Sequence, residues 1–192
     1  GRAGPTTTPT TVGAATTGGL LSGEQMIATA NIADEFGGGR VRLTPTQNLI
    51  LLDLPSEHAD AAASRLAAIG LHVHPSIFRT GTIACTGTQF CKLAQTETKA
   101  RADELISYLE TALPEFRSPL RISVTGCPNS CAHYQICDIG LVGDFLNTTD
   151  GKVEAFRVYL GGHLGEGYKF GRKLKRKIVA TEIKQVRRDA QE

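Results

Sequence analysis

No apolar stretch of this 192-residue chain approaches the length of a membrane span; the longest uninterrupted runs, such as Leu49 to Leu52, are far too short. A soluble protein with no membrane partner is therefore expected. Nothing at the start resembles a secretory leader and the five cysteines are odd in number, so a secreted disulfide framework is not expected either. Acidic residues are missing between Lys169 and Lys177, where six cations fall, yet the chain before residue 163 holds 12 basic against 15 acidic side chains. No aromatic platform is read beside those cations, and nucleic acid is set aside as a partner. The run reads as a solvated helix face, or as cations meeting acidic cofactor groups or an acidic protein.

What is present is an ordinary globular composition. At 41% apolar, the chain supports one globular unit, or one small domain with part of a second, and is not disordered. The chain begins with Gly1 and not Met, and Pro5 to Thr17 holds seven threonines with neither charge nor apolar period. Residues 1–19 accordingly read as a linker, a processed end or a terminus. Arginine is too scarce there for a plastid transit remnant to be preferred.

Four of the cysteines form two short, unequal pairs: Cys85 and Cys91 in CTGTQFC, then Cys127 and Cys131 in GCPNSC. A Cys-x5-Cys pair followed by a distant Cys-x3-Cys pair offers four thiolates from two loops, which suits the four corners of an iron-sulfur cubane. Structural zinc also takes four thiolates, but its paired cysteines usually stand two to four residues apart, which makes the gap after Cys85 awkward. Unligated core cysteines account for one residue more readily than for four. Pro128, Gly87 and Gly126 favour irregular loops whose N–H groups can turn toward cluster sulfur. Asn129 fits a donor to cluster sulfur and equally a turn stabiliser after Pro128.

The stretches VRLTPTQNL (41–49), ACTGTQFCKLAQTETKARA (84–102) and TGCPNSCAHYQICDIGLVG (125–143) resemble the C-terminal, cluster-bearing half of the ferredoxin-dependent nitrite and sulfite reductases, enzymes of sirohaem and a 4Fe-4S cluster. The match runs from about Ser22 to Lys177. The resemblance implies that Cys85, Cys91, Cys127 and Cys131 ligate the cluster. It implies further that Cys131 bridges to the sirohaem iron as its axial ligand and is the catalytic cysteine. For the RLTPTQN segment it implies sirohaem contact through Arg42, Thr44, Gln47 and Asn48; without it, Arg40 and Arg42 would read as charges on an exposed edge strand. Ferredoxin or a similar one-electron donor would feed the cluster, and nitrite or sulfite would be reduced in a six-electron process. The resemblance places such an enzyme in the cytoplasm, or in the plastid stroma of a eukaryote. In two-half relatives the substrate-binding cations come mainly from the N-terminal half, so that half is an expected partner. A complete single-module sulfite reductase, using Lys92, Lys99 and the 169–177 run, and an electron carrier without sirohaem are the alternatives.

The expected architecture is α+β: a ferredoxin-like split βαββαβ unit over residues 20–77, a cluster- and sirohaem-binding α/β domain over 78–180, and a charged tail over 181–192. Ser22 and Gln25 form a capping box, with Leu21 and Met26 as its staple, which predicts a helix from Gly23 to Phe36 ending at Gly37 to Gly39. Val41 and Leu43 share one face of a strand over 40–44, Leu49 to Leu52 form a second strand, and a helix follows from Glu57 to Ile69. A closing strand is expected over Leu71 to His74 and a weak first strand within 10–17. Further on come a strand at Thr82 to Ala84, a helix from Phe90 to about Leu113 with Cys91 in its first turn, and a strand over 120–124. A hairpin of 139–142 with 153–160 turns at Asp150-Gly151. Cys137 reads as a small buried apolar side chain. His72 and His74 read as a surface pair, His133 as packing or near a cofactor, and His163 as part of a turn.

Overall fold

The Ser22 hydroxyl accepts the Gln25 N–H at 3.1 Å, and the Gln25 side chain accepts the Ser22 N–H at 3.0 Å. This capping box starts α1 (Gly23–Phe36) where the sequence predicts it. The helix stops where Gly37 and Gly39 both donate to Ala33 O at 3.1 Å, Gly39 taking a positive φ of 67°. Met26, expected to staple against Leu21, is exposed. The computed structural model describes residues 9–149 and 151–185. These divide between Pro75 and Ser76 into two units.

In the first unit, β1 (Pro9–Ala14), β2 (Val41–Leu43) and β3 (Leu49–Pro55) form an antiparallel sheet in the order β1-β3-β2. The weak first strand is thus present. A 3-10 turn (Ser56–His58) leads into α2 (Ala59–Ala68), so the second helix begins two residues later than expected. Val12, Ile32, Leu51, Leu54 and Leu66 close one apolar core between sheet and helices. Val41 and Leu43 do not join it. They lie on the three-residue edge strand β2, with Leu43 78% exposed, because an alternating pattern marks a strand but not which face is covered. The expected closing strand at 71–74 is reduced to one antiparallel bridge, Ala15 with His72, bonded both ways at 2.8 and 3.0 Å. Bends at Val73 and His74 and then Pro75, which has no N–H, end the pairing, so the two histidines share no strand face.

The second unit opens with α3 (Ile77–Gly81) and β4 (Thr82–Ala84). Its five-stranded sheet runs β4-β5-β6-β7-β8, with β5 (Ile122–Thr125), β6 (Ile139–Thr148), β7 (Gly151–Leu160) and β8 (Arg172–Val179). Strands β4, β5 and β6 are parallel, Ala84 pairing with Val124 and Thr125 with Val142; β7 and β8 are antiparallel. The hairpin is longer than expected, and its Asp150 lies outside the described residues. The cationic run is an edge strand and not a helix: Leu174 and Ile178 face the core while the lysines and arginines around them stay wet. Tyr168 and Phe170, flanking Lys169, are 81% and 75% exposed, so aromatic side chains do accompany the start of that run.

The largest departure lies between the first cysteine pair and the helix behind it. One helix over 90–113 is expected; instead a single-turn α4 (Gly87–Phe90) is followed by eight non-helical residues and then α5 (Lys99–Ala112). Cys91 therefore ends α4 and does not open a long helix. The break has visible causes. The Gln95 N–H is taken by Gly126 O at 2.7 Å, and the Glu97 carboxylate accepts the N–H groups of Lys99, Ala100 and Arg101 at 2.8, 2.9 and 3.2 Å. Glu97 thus caps α5 from outside it and satisfies its orphan donors. Ala102, Leu105, Ile106 and Leu109 on α5 then pack with Val124 and Phe156 of the sheet. The strand before the second cysteine pair begins at Ile122, and the described residues end with a 3-10 segment (Ala180–Gln185). Residues 1–8 of the threonine-rich segment and 186–192 of the charged tail lie outside the described residues.

Candidate metal centre

Cys85 directly follows β4 and Gly126-Cys127 directly follow β5, so the parallel pairing of those strands delivers both cysteine loops to the same carboxyl-terminal sheet edge. In parallel sheets that edge is where ligands bind. The loops touch: the Gly126 N–H donates to Cys85 Sγ at 3.1 Å, and the Cys85 N–H donates to Val124 O at 3.0 Å. Cys91 is tied into the same place, its N–H on Gly87 O at 3.0 Å, while Gln95, four residues on, reaches Gly126 O. The structure thus brings Cys85, the Cys91 segment and the Cys127 loop together.

Cys127 is buried, Cys85 and Cys91 are half-buried, and Cys131 is exposed; all five cysteines are free. Behind Cys131 the loop is fixed by two left-handed residues, Ser130 (φ 60°) and His133 (φ 56°), and by the His133 N–H on Ser130 O at 2.8 Å. The Ser123 hydroxyl donates to Ala132 O at 2.6 Å, and the Ser130 hydroxyl to the Gln135 side chain. Asn129 is exposed on this loop. Cys137 is buried, its thiol lying 3.5 Å from His133 O. Burial pushes that thiol above its ordinary pKa and Asp138 adds to the effect, while Arg121 opposes it. This environment suits a packed side chain better than a metal-binding thiolate.

Close backbone approach supports the loops. A Cβ on Gly143 of β6 would stand 2.3 Å from Gly126 O, and one on Gly126 would stand 3.0 Å from Ala94 Cβ. Among the described residues, no three His, Cys, Asp or Glu side chains are gathered tightly enough to hold a single metal ion. A cubane takes one thiolate at each of four separated corners, and the donor set fits that group better than zinc. Among the buried side-chain atoms of the described residues that lack a hydrogen-bond partner, three stand beside these loops: Gln95 Oε1 and Thr96 Oγ1 before α5, and Thr125 Oγ1 at the end of β5. They leave unspent polar capacity in the segments that carry Cys91 and Cys127.

Sequence reasoning passed over Thr98, Glu97 and Gly143, whose roles arise only when distant segments meet. Lys99, considered as a substrate-binding cation of a single-module enzyme, is 7% exposed. Its burial pushes the ammonium below the ordinary 10.5, against the opposite pull of Cys85 and Glu97. The expected sirohaem residues lie in the first unit. Arg42 is exposed at the centre of β2, and Thr44, Gln47 and Asn48 form the turn into β3. That turn is knit by the Thr44 N–H on Asn48 O (2.8 Å), the Asn48 N–H on Thr44 Oγ1 (3.0 Å) and the Thr16 hydroxyl on Gln47 O (2.8 Å).

The fold is that of an α+β protein whose second unit gathers cysteines at strand ends. A family model described as the nitrite and sulphite reductase 4Fe-4S domain matches residues 79–189, and one described as the nitrite/sulfite reductase ferredoxin-like half domain matches residues 4–69. The chain belongs to the nitrite and sulfite reductase family. It is 42% identical over 178 residues to sulfite reductase (ferredoxin) 2 of Mycolicibacterium paratuberculosis, covering 90% of this chain and 32% of that protein. It is also 42% identical over 150 residues to the chloroplastic ferredoxin-nitrite reductase of Zea mays, covering 77% of this chain and 26% of the relative. The solved structure of the Mycobacterium tuberculosis NirA protein superposes with a TM-score of 0.87 at 40% identity, covering 91% of this chain and 33% of that one. The chain spans about a third of the length of these relatives. No helix among the described residues is long and apolar enough to cross a membrane.

Proposed function

We propose that this chain is the cluster-bearing part of an assimilatory nitrite or sulfite reductase, fed by ferredoxin in the cytoplasm and completed by an N-terminal half. The observation that carries the reading is the Gly126 N–H on Cys85 Sγ, which joins two cysteine loops distant in sequence. Cys85, Cys91, Cys127 and Cys131 would hold a 4Fe-4S cluster, and Cys131 would also help to hold sirohaem. When bound, these groups supply the one-electron steps of a six-electron reduction. The chain's own residues bind, orient and tune. The Gly126 N–H offsets negative charge on the Cys85 sulfur, and burial of Cys127 shields its thiolate from water. Asn129 adds a donor on the second loop. Arg42, with Thr44, Gln47 and Asn48, offers a cation and polar groups to the sirohaem carboxylates. The exposed position of Cys131 suits a ligand that serves a second group.

Anaerobic reconstitution with iron, sulfide and sirohaem tests the reading, with the chain alone and with the N-terminal half of a relative, assayed with reduced ferredoxin on nitrite and sulfite. A cluster spectrum in the chain alone, and turnover only with the added half, is expected. A strong sirohaem band with turnover in the isolated chain would instead make it a complete single-module enzyme. A cluster spectrum that sirohaem never perturbs, even with the added half, would make it an electron carrier.

A further inference from the structure

Cys85 is held at three points, and the third comes from a residue outside both cysteine motifs. Its N–H donates to Val124 O at 3.0 Å and its sulfur accepts the Gly126 N–H at 3.1 Å. The Thr98 hydroxyl donates to its carbonyl oxygen at 2.6 Å, and the same Oγ1 stands 3.8 Å from the sulfur. Thr98 is fully buried and occupies the N-cap of α5, where a threonine hydroxyl ordinarily accepts a helix N–H. Here it caps nothing; the Glu97 carboxylate serves the helix N–H groups instead. The hydroxyl is thereby released from the helix and spent on Cys85.

Both cysteine loops are shaped around this side chain. Gly87 has a φ of +63°, and a Cβ there would lie 2.6 Å from Thr98 Oγ1 and 2.8 Å from its nitrogen. On the other side, a Cβ on Gly126 would lie 3.3 Å from the Thr98 methyl group. The hydroxyl end abuts the CTGTQFC loop and the methyl end abuts the GCPNSC loop. Thr98 thus stands between the two loops.

We propose that Thr98 is a positioning residue for Cys85, fixing its peptide plane and so the direction in which its sulfur points. This rests on the reading of Cys85 as a cluster ligand. A hydroxyl has one proton to give, and giving it to the carbonyl leaves the sulfur with the Gly126 N–H as donor and its remaining lone pairs for iron. Removing the hydroxyl deprives the Cys85 carbonyl of a partner and frees the peptide to rotate, which misdirects the thiol without deleting it.

Thr98→Val keeps the shape and removes the hydroxyl; Thr98→Ser keeps the hydroxyl. In the reconstituted chain, Thr98→Val is expected to lose its cluster to a chelator about tenfold faster than wild type, with a changed electron paramagnetic resonance signal, while Thr98→Ser stays close to wild type. In the metal-free chain, amide exchange at Gly126 should rise about tenfold in Thr98→Val while core amides of β5 and β6 keep their protection. That second arm needs no cluster: a wild-type chain that never loads iron refutes the ligand reading, whereas Gly126 exchange still reports on Thr98. Unchanged cluster lifetime and unchanged Gly126 exchange in Thr98→Val overturn the proposal. A Thr98→Ser chain as labile as Thr98→Val also overturns it, since packing of the methyl would then be the cause. If Thr98→Val does not fold, Thr98→Ser against wild type decides alone, a shortened cluster lifetime counting against the proposal.

Discussion

Gly143→Ala adds a single methyl group, yet it presses on the Gly126 peptide that joins the two cysteine loops. Gly143 lies on β6, beside the Val142–Thr125 pair of the parallel sheet. The added Cβ would fall 2.3 Å from Gly126 O, 2.4 Å from Thr96 Oγ1 and 2.6 Å from Gly126 C. Real Cβ atoms keep about 3.0 Å from such neighbours, so something must move by roughly 0.7 Å, the difference between 3.0 and 2.3. Two of the three nearest atoms are backbone, and Gly126 is pinned through both of its peptide groups, its oxygen accepting the Gln95 N–H and its own N–H donating to Cys85 Sγ. Overpacking of this kind costs about 1–3 kcal/mol, and a pinned backbone places this site near the upper end, about 3 kcal/mol. Urea unfolding reads the cost as a lower midpoint with an unchanged slope, and iron content after reconstitution reads the damage to the loops. Gly23→Ala is the control, because nothing lies within 4 Å of its Cβ and the position starts a helix. A Gly143→Ala chain that unfolds within about 0.5 kcal/mol of wild type and loads full iron would refute the reasoning.

Three further outcomes follow from named contacts. Burial alone would raise the Asp144 carboxyl, but the Lys177 ammonium at 2.8 Å, the Phe145 N–H and the Arg157 guanidinium outweigh it and hold it below the ordinary 3.8. A depressed carboxylate stabilises the fold above its unfolded value and loses that contribution as pH falls through its folded value. Asp144→Asn should therefore cost about 1–2 kcal/mol at neutral pH, with the two stability curves converging well below pH 3.8. Ser22→Ala removes one arm of the capping box and should cost the first unit about 1 kcal/mol, seen as a lower melting temperature, with Ser22→Asn close to neutral. Arg79, buried and clamped to both Glu110 oxygens at 3.2 and 2.9 Å, should cost about 3 kcal/mol on replacement by Met, since two carboxylate bonds are left open. A chemical-denaturation midpoint close to that of wild type would count against it.

Local signals in the sequence translated well wherever the deciding partner is close along the chain. The capping box and the Gly37 stop depend on neighbours within a few residues, and the β6–β7 hairpin joins strands that follow one another directly in the chain. The segment after Cys91 was misread because Leu93, Ala94, Ala102, Leu105 and Leu109 keep a helical spacing, while the partners that break the helix are Gly126 O, Cys85 O and a carboxylate acting as a cap. Propensity yields to such tertiary bonds. Charge hid the strand in Arg172–Val179: successive cations masked Leu174 and Ile178, whose burial only the sheet edge explains. Alternation at Val41 and Leu43 put both on one face of a strand but said nothing of whether that face is covered, and at the edge position of β2 both are exposed. In the candidate site, the spacing of the two cysteine pairs draws attention in the sequence, whereas Thr98 and Gly143 do not, since a hydroxyl and a missing methyl carry no pattern of their own.

The most direct measurement of the central claim is Mössbauer spectroscopy with iron and sulfide counting on the anaerobically reconstituted chain, beside single Cys→Ser variants at 85, 91, 127, 131 and 137. The account predicts one 4Fe-4S cluster per chain, lost or converted in each of the first four variants and intact in Cys137→Ser. A stoichiometric zinc ion in place of the cluster, or a cluster that survives loss of Cys85 but not of Cys137, would contradict it.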